Sequence, residues 1–524
     1  MYRLDRFSTR GVIGLALLTL AFLISQRGHA EGAHVEENWY VVLLGDQRAG
    51  HVHQRVTHKP KQITTETSMR VRVGRGDAVI EVKADGSFLE TSEGEPVRAE
   101  SSLGIGGLGG EPIVTVMDFA DRTIQLTTRQ GERTETVERP SPDADWLPPA
   151  AAARHVEAAL EHGDEQVTVS TIDPAMGPEP FTMTMTIRGT ETVDVFGRQV
   201  EAVVWDAVSS NLPGVTMREY VDGSGVALKS TVALMPGMEM TVVAADRSLA
   251  LSELNPPEIM ASTLVKPAPR SVTIHDARET ARATYELRLP KGFNLPETAA
   301  QRVKQSLPLE DSDERTVVIQ VNHNAHGVLP DLQAAPPTAG MTDSSGMVDF
   351  ESESVGALRA EFEKQRESST SGDELALAEA LRRFVFDAIE TKDLSVGFAN
   401  ATETAATRRG DCTEHAVLLA ALLRSYDIPS RGVAGVVYVD SFLGQRGVFG
   451  FHMWTQAWLD PDGSDGPLSA RWIDLDPALD RERPFDATHL SLVIDDLNAA
   501  SPLNQMVALT PIMGRLQIRV LEAK

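Results

Sequence analysis

The segment from Thr413 to Tyr426 constrains this chain more than any other. Ala416, Val417, Leu418, Leu419, Ala420, Leu422 and Leu423 make it apolar almost all the way round. A helix of that kind has no face to give to water, so other elements must surround it. Ile428-Pro429 ends it, because proline removes a donor and cannot continue the ladder. A second helix is predicted over Glu374 to Glu390, opened by Asp373 as N-cap. Strands are predicted at Val433 to Val439, Phe451 to Leu459 and Arg471 to Leu475. Helix, buried helix, then antiparallel strands is an α+β plan.

Upstream the periodicity changes from helical to two-residue. Trp39 to Leu44 runs into Gly45-Asp46, Ala78 to Val82 runs on to Asp85-Gly86, and Thr182 to Thr186 alternates with Met. Such short alternating stretches between turn signals read as strands. A β-rich domain is therefore expected over residues 31–259, and a smaller β domain over 260–333, carried by Ala283 to Leu289 and Thr316 to Val321. The Pro- and Ala-containing stretch 334–346 reads as a linker. Residues 347–524 are left for the helix-and-sheet domain. The Gly-rich piece from Gly104 to Gly110 lacks the lysine of a phosphate loop and reads as an ordinary loop.

Charge narrows the partners. Lys and Arg number 49 against 75 Asp and Glu, a formal charge of −26. No dense basic run is present, which argues against nucleic acid as a partner. Arg3, Arg6 and Arg10, the uncharged stretch Gly11 to Ser25 and the small residues of Gly28-His29-Ala30 have the anatomy of a secretory signal peptide over residues 1–30. A periplasmic or secreted protein is expected, with an uncleaved N-terminal anchor as the alternative and no other membrane contact. In such an oxidising compartment a lone thiol needs a use or a cover. The chain has one Cys in 524 residues, Cys412.

Cys412 stands in Gly410-Asp411-Cys412-Thr413, immediately before the apolar helix. Unsatisfied N–H groups and the helix dipole there are expected to stabilise the thiolate and lower its pKa. A cysteine nucleophile needs a base, and the base needs an orienting group. His452 lies in a predicted strand, within Gly450-Phe451-His452-Met453-Trp454, and Asp476 ends the next strand, before Pro477. Neighbouring antiparallel strands bring such a pair within reach. Asp474 shares the face of Asp476 and is a rival orienter. Glu414, His415 and Trp454 are secondary candidates for substrate contact, against the plainer readings of a helix-start carboxylate, a packed polar residue and a core aromatic. His323 and His326 read as loop histidines, since no third metal ligand accompanies them. No motif calls for a metal or an organic cofactor.

Three blocks together resemble the bacterial transglutaminase-like proteins: Gly410 to Ala416, His452-Met453-Trp454, and Trp472-Ile473-Asp474-Leu475-Asp476-Pro477. The resemblance covers about residues 370–485. It implies a papain-like core of helices on an antiparallel sheet and a Cys412–His452–Asp476 triad. It also implies acyl transfer at amide bonds of a protein or peptide substrate. Papain-like enzymes carry a Gln before the Cys; here Ala405 and Ala406 stand in that region, so the second oxyanion donor is unassigned. The triad serves water or an amine as acceptor, and hydrolysis is the expected outcome. The competing reading is a non-catalytic binding or scaffold protein, whose β-rich domain takes a peptide or apolar ligand.

Overall fold

The computed structural model describes residues 33–524 except 77, 107–111, 132, 143–144, 212–214, 224, 236–237, 259, 324–334, 367–372, 393, 395, 397–398, 461–469, 484, 499–507 and 510. The chain divides into two compact units at Pro257/Glu258, two short segments excepted. None of the described helices is long and apolar enough to cross a membrane.

The first unit is the β-rich region. Its first meander is β1 (His34–Leu44), β2 (Gln47–Lys59), β3 (Gln62–Arg75), β4 (Ala78–Thr91), β5 (Pro96–Gly106), β6 (Ile113–Phe119), β7 (Thr123–Gln130) and β8 (Arg133–Pro140). Helix α1 (Pro149–His162) leads to a second: β9 (Gln166–Thr171), β10 (Phe181–Val195), β11 (Arg198–Ser209), β12 (Thr216–Val221), β13 (Ala227–Met235) and β14 (Met238–Ala245). β1 pairs antiparallel with β14, which joins both meanders into one fourteen-stranded sheet. Period-2 alternation decides which side chains face inward. In β10, Phe181, Met183 and Met185 are buried while Thr182 is exposed.

The second unit holds two four-stranded sheets. One has the order β16 (Gln301–Pro308), β17 (Glu314–Asn322), β15 (Arg282–Pro290), β22 (Gln517–Ala523). The other has the order β20 (Arg471–Leu475), β19 (Gln445–Leu459), β18 (Ser430–Phe442), β21 (His489–Asp495). The strands expected to form a separate small β domain are thus completed by the C-terminal strand β22. They also share one apolar core with Val433, Phe449, Trp454 and Leu490 of the second sheet, so they belong to the second unit. The stretch expected as a linker is likewise tied down where it is described: Ser345 Oγ donates to Leu497 O, and Trp472 Nε1 to Ala335 O.

Helices α2 (Glu353–Gln365), α3 (Glu374–Ala388), α4 (Ala401–Thr407) and α5 (Cys412–Arg424) build the other core. In α5 every residue from Thr413 to Arg424 is buried, as its apolar circumference requires. Met453 and Ala457 of β19 belong to this helical core, whereas Phe449 and Trp454 face the other. The sheet carrying β19 therefore lies between the helices and the sheet of β15, β16, β17 and β22. Thr455 Oγ1 on β19 donates to Ala416 O on α5 at 2.8 Å, which fixes helix against strand.

Arg382 of α3 is fully buried and spends its guanidinium on the chain that follows β20. It donates to Asp476 O at 3.2 Å, Asp480 O at 2.8 Å and Arg481 O at 2.5 Å. A buried carbonyl deprived of its donor costs about 1–3 kcal/mol. Arg382→Met is expected to lower the unfolding free energy by about 3 kcal/mol in a denaturant titration. A loss below about 1 kcal/mol would show that these carbonyls do not depend on the guanidinium.

Candidate active site

The start of α5 is built by two carboxylates. Asp411 is the N-cap and accepts from Thr413 N at 3.0 Å. Glu414 reaches back to accept from Asp411 N at 2.8 Å and from Ala399 N at 2.9 Å, which completes a capping box. Gly410 gives Glu414 the room: a Cβ there would stand 2.3 Å from Glu414 Cβ, and its φ of +153° also favours glycine. Glu414 is fully buried and engaged with the backbone. His415 is buried too; its Nδ1 meets Asp411 O at 2.6 Å, and burial pushes its pKa down to about 4.

This construction reverses the expectation for the thiol. Burial pushes the Cys412 thiol well above its ordinary range and the charge of Asp411 adds to the rise, while the Met453 N–H opposes it. The positive helix end that should favour a thiolate is already occupied by the carboxylates of the capping box. Cys412 is half-buried, with the Met453 N–H facing its sulfur, in surroundings that favour the neutral thiol.

Met453 follows His452 on β19. His452 Nε2 lies 2.9 Å from Asp476 Oδ2, and both side chains are buried. β19 and β20 pair antiparallel with Gln456 opposite Asp474, so two residues further on Asp476 comes to the same face, diagonal to His452. Asp474 is engaged elsewhere, accepting from Trp454 Nε1 at 2.8 Å and Gln456 Nε2 at 2.7 Å. Asp476 is therefore the carboxylate that meets the imidazole. With Nε2 committed to it, Nδ1 is the ring nitrogen left for a thiol or a substrate. No thiol–imidazole hydrogen bond joins Cys412 to His452 in this structure.

The structure adds a partner that sequence reasoning missed. His489, at the start of β21, sets its Nε2 3.2 Å from the same Asp476 Oδ2, and Ala478 N donates to Asp476 Oδ1 at 2.7 Å. β20 and β21 stand at opposite edges of their sheet, and this contact closes the connection between them. On its other side His489 Nδ1 approaches Asp486 Oδ1 at 3.4 Å, and Asp486 is paired with Arg278 at 2.9 Å. Burial works against a charge on His489, but Asp486 and the bond to Asp476 outweigh it and push its pKa up to about 9. Burial also opposes charge on Asp476, yet both imidazoles hold its carboxyl well below the usual carboxylate range. The sequence carried one signal for this, a histidine preceded by an aspartate three residues earlier at the head of an apolar strand, and distance along the chain hid its partner.

Trp454 is fully buried, with its ring lying along His452 at 6.1 Å and edge-on to His489 at 5.2 Å. It backs the two imidazoles rather than lining an open surface. Gly435, opposite His452 on β18, makes that possible, since a Cβ there would fall 2.1 Å from Leu490 O and 2.7 Å from the Trp454 ring. His452, Asp476 and His489 offer ligand atoms close enough for a metal, but Asp476 already accepts hydrogen bonds at both oxygens. His323 packs on Phe485, and His326 lies outside the described residues.

Residues 363–477 match the family model of the transglutaminase-like superfamily. The chain carries a transglutaminase-like domain. No curated protein matches it. Among solved structures, a β-barrel-like domain of unknown function from Brucella abortus is 12% identical, with a TM-score of 0.29, covering 40% of this chain and 95% of its own. A candidate cysteine protease from Cytophaga hutchinsonii is 13% identical, with a TM-score of 0.28, covering 47% of this chain and 87% of its own. A candidate protease from Parabacteroides distasonis is 12% identical, with a TM-score of 0.17, covering 73% and 69%. Likenesses this remote carry neither fold nor residue roles to the transglutaminase-like domain.

The raised pKa of His489 has a definite sign in stability. A group protonated more tightly when folded contributes fully below its unfolded pKa of about 6.5, and the contribution is lost as pH rises through the folded value. Thermal and denaturant stability is expected to fall between pH 6.5 and 9, by a total of about 3 kcal/mol from this group. His489→Phe should flatten that part of the pH profile. An unchanged slope would place the proton elsewhere.

Proposed function

We propose that the transglutaminase-like domain is a cysteine-dependent enzyme that cleaves amide bonds in a protein or peptide substrate. Cys412 is its nucleophile, His452 its acid–base group and Asp476 the group that orients the imidazole. The observation that carries this reading is the buried Asp476–His452 bond through Nε2, which leaves Nδ1 free to serve the thiol at the head of α5. Catalytic hydrogen bonds are often long or absent before substrate binds, so the missing thiol–imidazole bond does not count against the pairing.

His452 Nδ1 takes the thiol proton as the Cys412 sulfur attacks the carbonyl carbon. The same proton passes to the amide nitrogen as the C–N bond breaks, and the amine leaves a thioester behind. Water, deprotonated by His452, then attacks the thioester, releasing the carboxylic acid and the thiol. Asp476 keeps the imidazole in the tautomer with its proton on Nε2 and stabilises the imidazolium. An amine in place of water would give transfer instead. Hydrolysis is favoured because transfer requires a site that excludes water. The N-terminal targeting pattern supports action outside the cytoplasm, in a periplasm or beyond the cell.

The test is the rate of iodoacetamide labelling of Cys412 between pH 5 and 10 in the native protein and in His452→Ala. Burial and Asp411 keep an unassisted thiol protonated, so removal of the base is expected to slow labelling at pH 7 about a hundredfold and to push it into the alkaline range. Equal profiles in both proteins would sink the pairing and turn attention to the non-catalytic binding reading.

A further inference from the structure

A second group of titratable side chains belongs to the first unit and takes no part in the chemistry above. His34 on β1 faces His58 on β2 directly in the antiparallel register. Period 2 puts Glu36 on the same side of β1 as His34. That side is the inner one, since Tyr40 and Val42 further along it, and Val52 and Val56 across from it, are buried. The two imidazoles stack with centroids 4.1 Å apart and planes 3° from parallel. Their Nε2 atoms turn to one oxygen: Glu36 Oε1 is 3.3 Å from His34 Nε2 and 3.7 Å from His58 Nε2.

His34 Nε2 and Glu36 Oε1 share a hydrogen bond, and the spacings also suit three ligands of one ion. Two ligands about 2.1 Å from a tetrahedral ion stand about 3.4 Å from each other, and the two measured separations bracket that value. All three ligand atoms lie within 4.8 Å of one another. His58 Nε2 is buried without a hydrogen-bond partner, the Glu36 oxygen being too distant to accept from it. A buried polar atom left so is uncommon and costs stability unless something meets it. Arg154, the nearby cation, lies 3.7 Å from the buried carboxylate of Glu90. The three side chains are 15–28% exposed, sheltered but open enough to admit an ion.

We infer that His34, Glu36 and His58 form a transition-metal site, with zinc as the ion that two imidazoles and one carboxylate suit best. The protein supplies three ligands and leaves the fourth position to water. Loading opens the stack by rotation about χ2, so that both Nε2 lone pairs point at the ion. The ion clips the beginning of β1 to the end of β2 and thereby stabilises the first unit.

The test uses the full chain, stripped of metal, with Cys412→Ala and His452→Ala in place so that neither the thiol nor the His452 group competes. Titration with zinc is expected to saturate at one equivalent and to raise the melting temperature, as binding to the folded state requires. Cobalt(II) should give the strong visible absorption of a four-coordinate ion. His34→Ala and His58→Ala should each weaken binding about a hundredfold or more, and the near-isosteric Glu36→Gln should weaken it without disturbing the circular dichroism. Absence of a stoichiometric zinc ion in the parent, or affinity unmoved by all three substitutions, overturns the site.

Discussion

The Asp476 carboxylate is the point on which the second unit is organised. It is a buried anion that two imidazoles and a backbone N–H surround within hydrogen-bonding distance. An unpaired buried charge is among the most expensive features a fold can carry. The surrounding elements are arranged so that it is never unpaired. β19 supplies His452, β21 supplies His489, and α3 sends Arg382 to the main-chain oxygen of the same residue. Electrostatics continues outward through Asp486 to Arg278, so negative and positive groups alternate along one line.

The thiol obeys a different logic. A helix N-terminus is a favourable place for an anion only while its N–H groups and dipole are unclaimed. Asp411 and Glu414 claim them first. Their gain is a rigid first turn, held beneath Gly410 and tied to Ala399. Burial, with the charges of Asp411 and then Glu414 behind it, favours the neutral thiol of Cys412. In the proposed mechanism activation falls to the imidazole, and the carboxylate of Asp476 behind His452 sets that ring in one orientation.

The two units use one sheet principle to opposite ends. In the first, alternation along strands such as β2, β3 and β10 buries one face and leaves cross-strand pairs such as His34 and His58 partly exposed at the strand ends. In the second, the sheet is buried on both faces, between helices and another sheet. There, strand residues on the face away from α5 include Trp454, which packs directly behind the imidazoles.

Much of this was legible in the chain itself, because the signals were local. The apolar circumference of Thr413 to Tyr426 dictated a central helix, period 2 dictated the strands of the first unit, and Cys412, His452 and Asp476 stood out by spacing and neighbours. The choice between Asp474 and Asp476 was open to the strand pattern, since both share one face. Tertiary structure decided it by giving Asp474 to Trp454 and Gln456. It also decided that β15, β16 and β17 share a sheet with β22, that His489 belongs with Asp476, and that burial disfavours the thiolate. Each of these depends on groups far apart in sequence, or on burial. Periodicity reports which face a residue takes, but a pairing or a desolvation cost exists only once the partner arrives and the water has left.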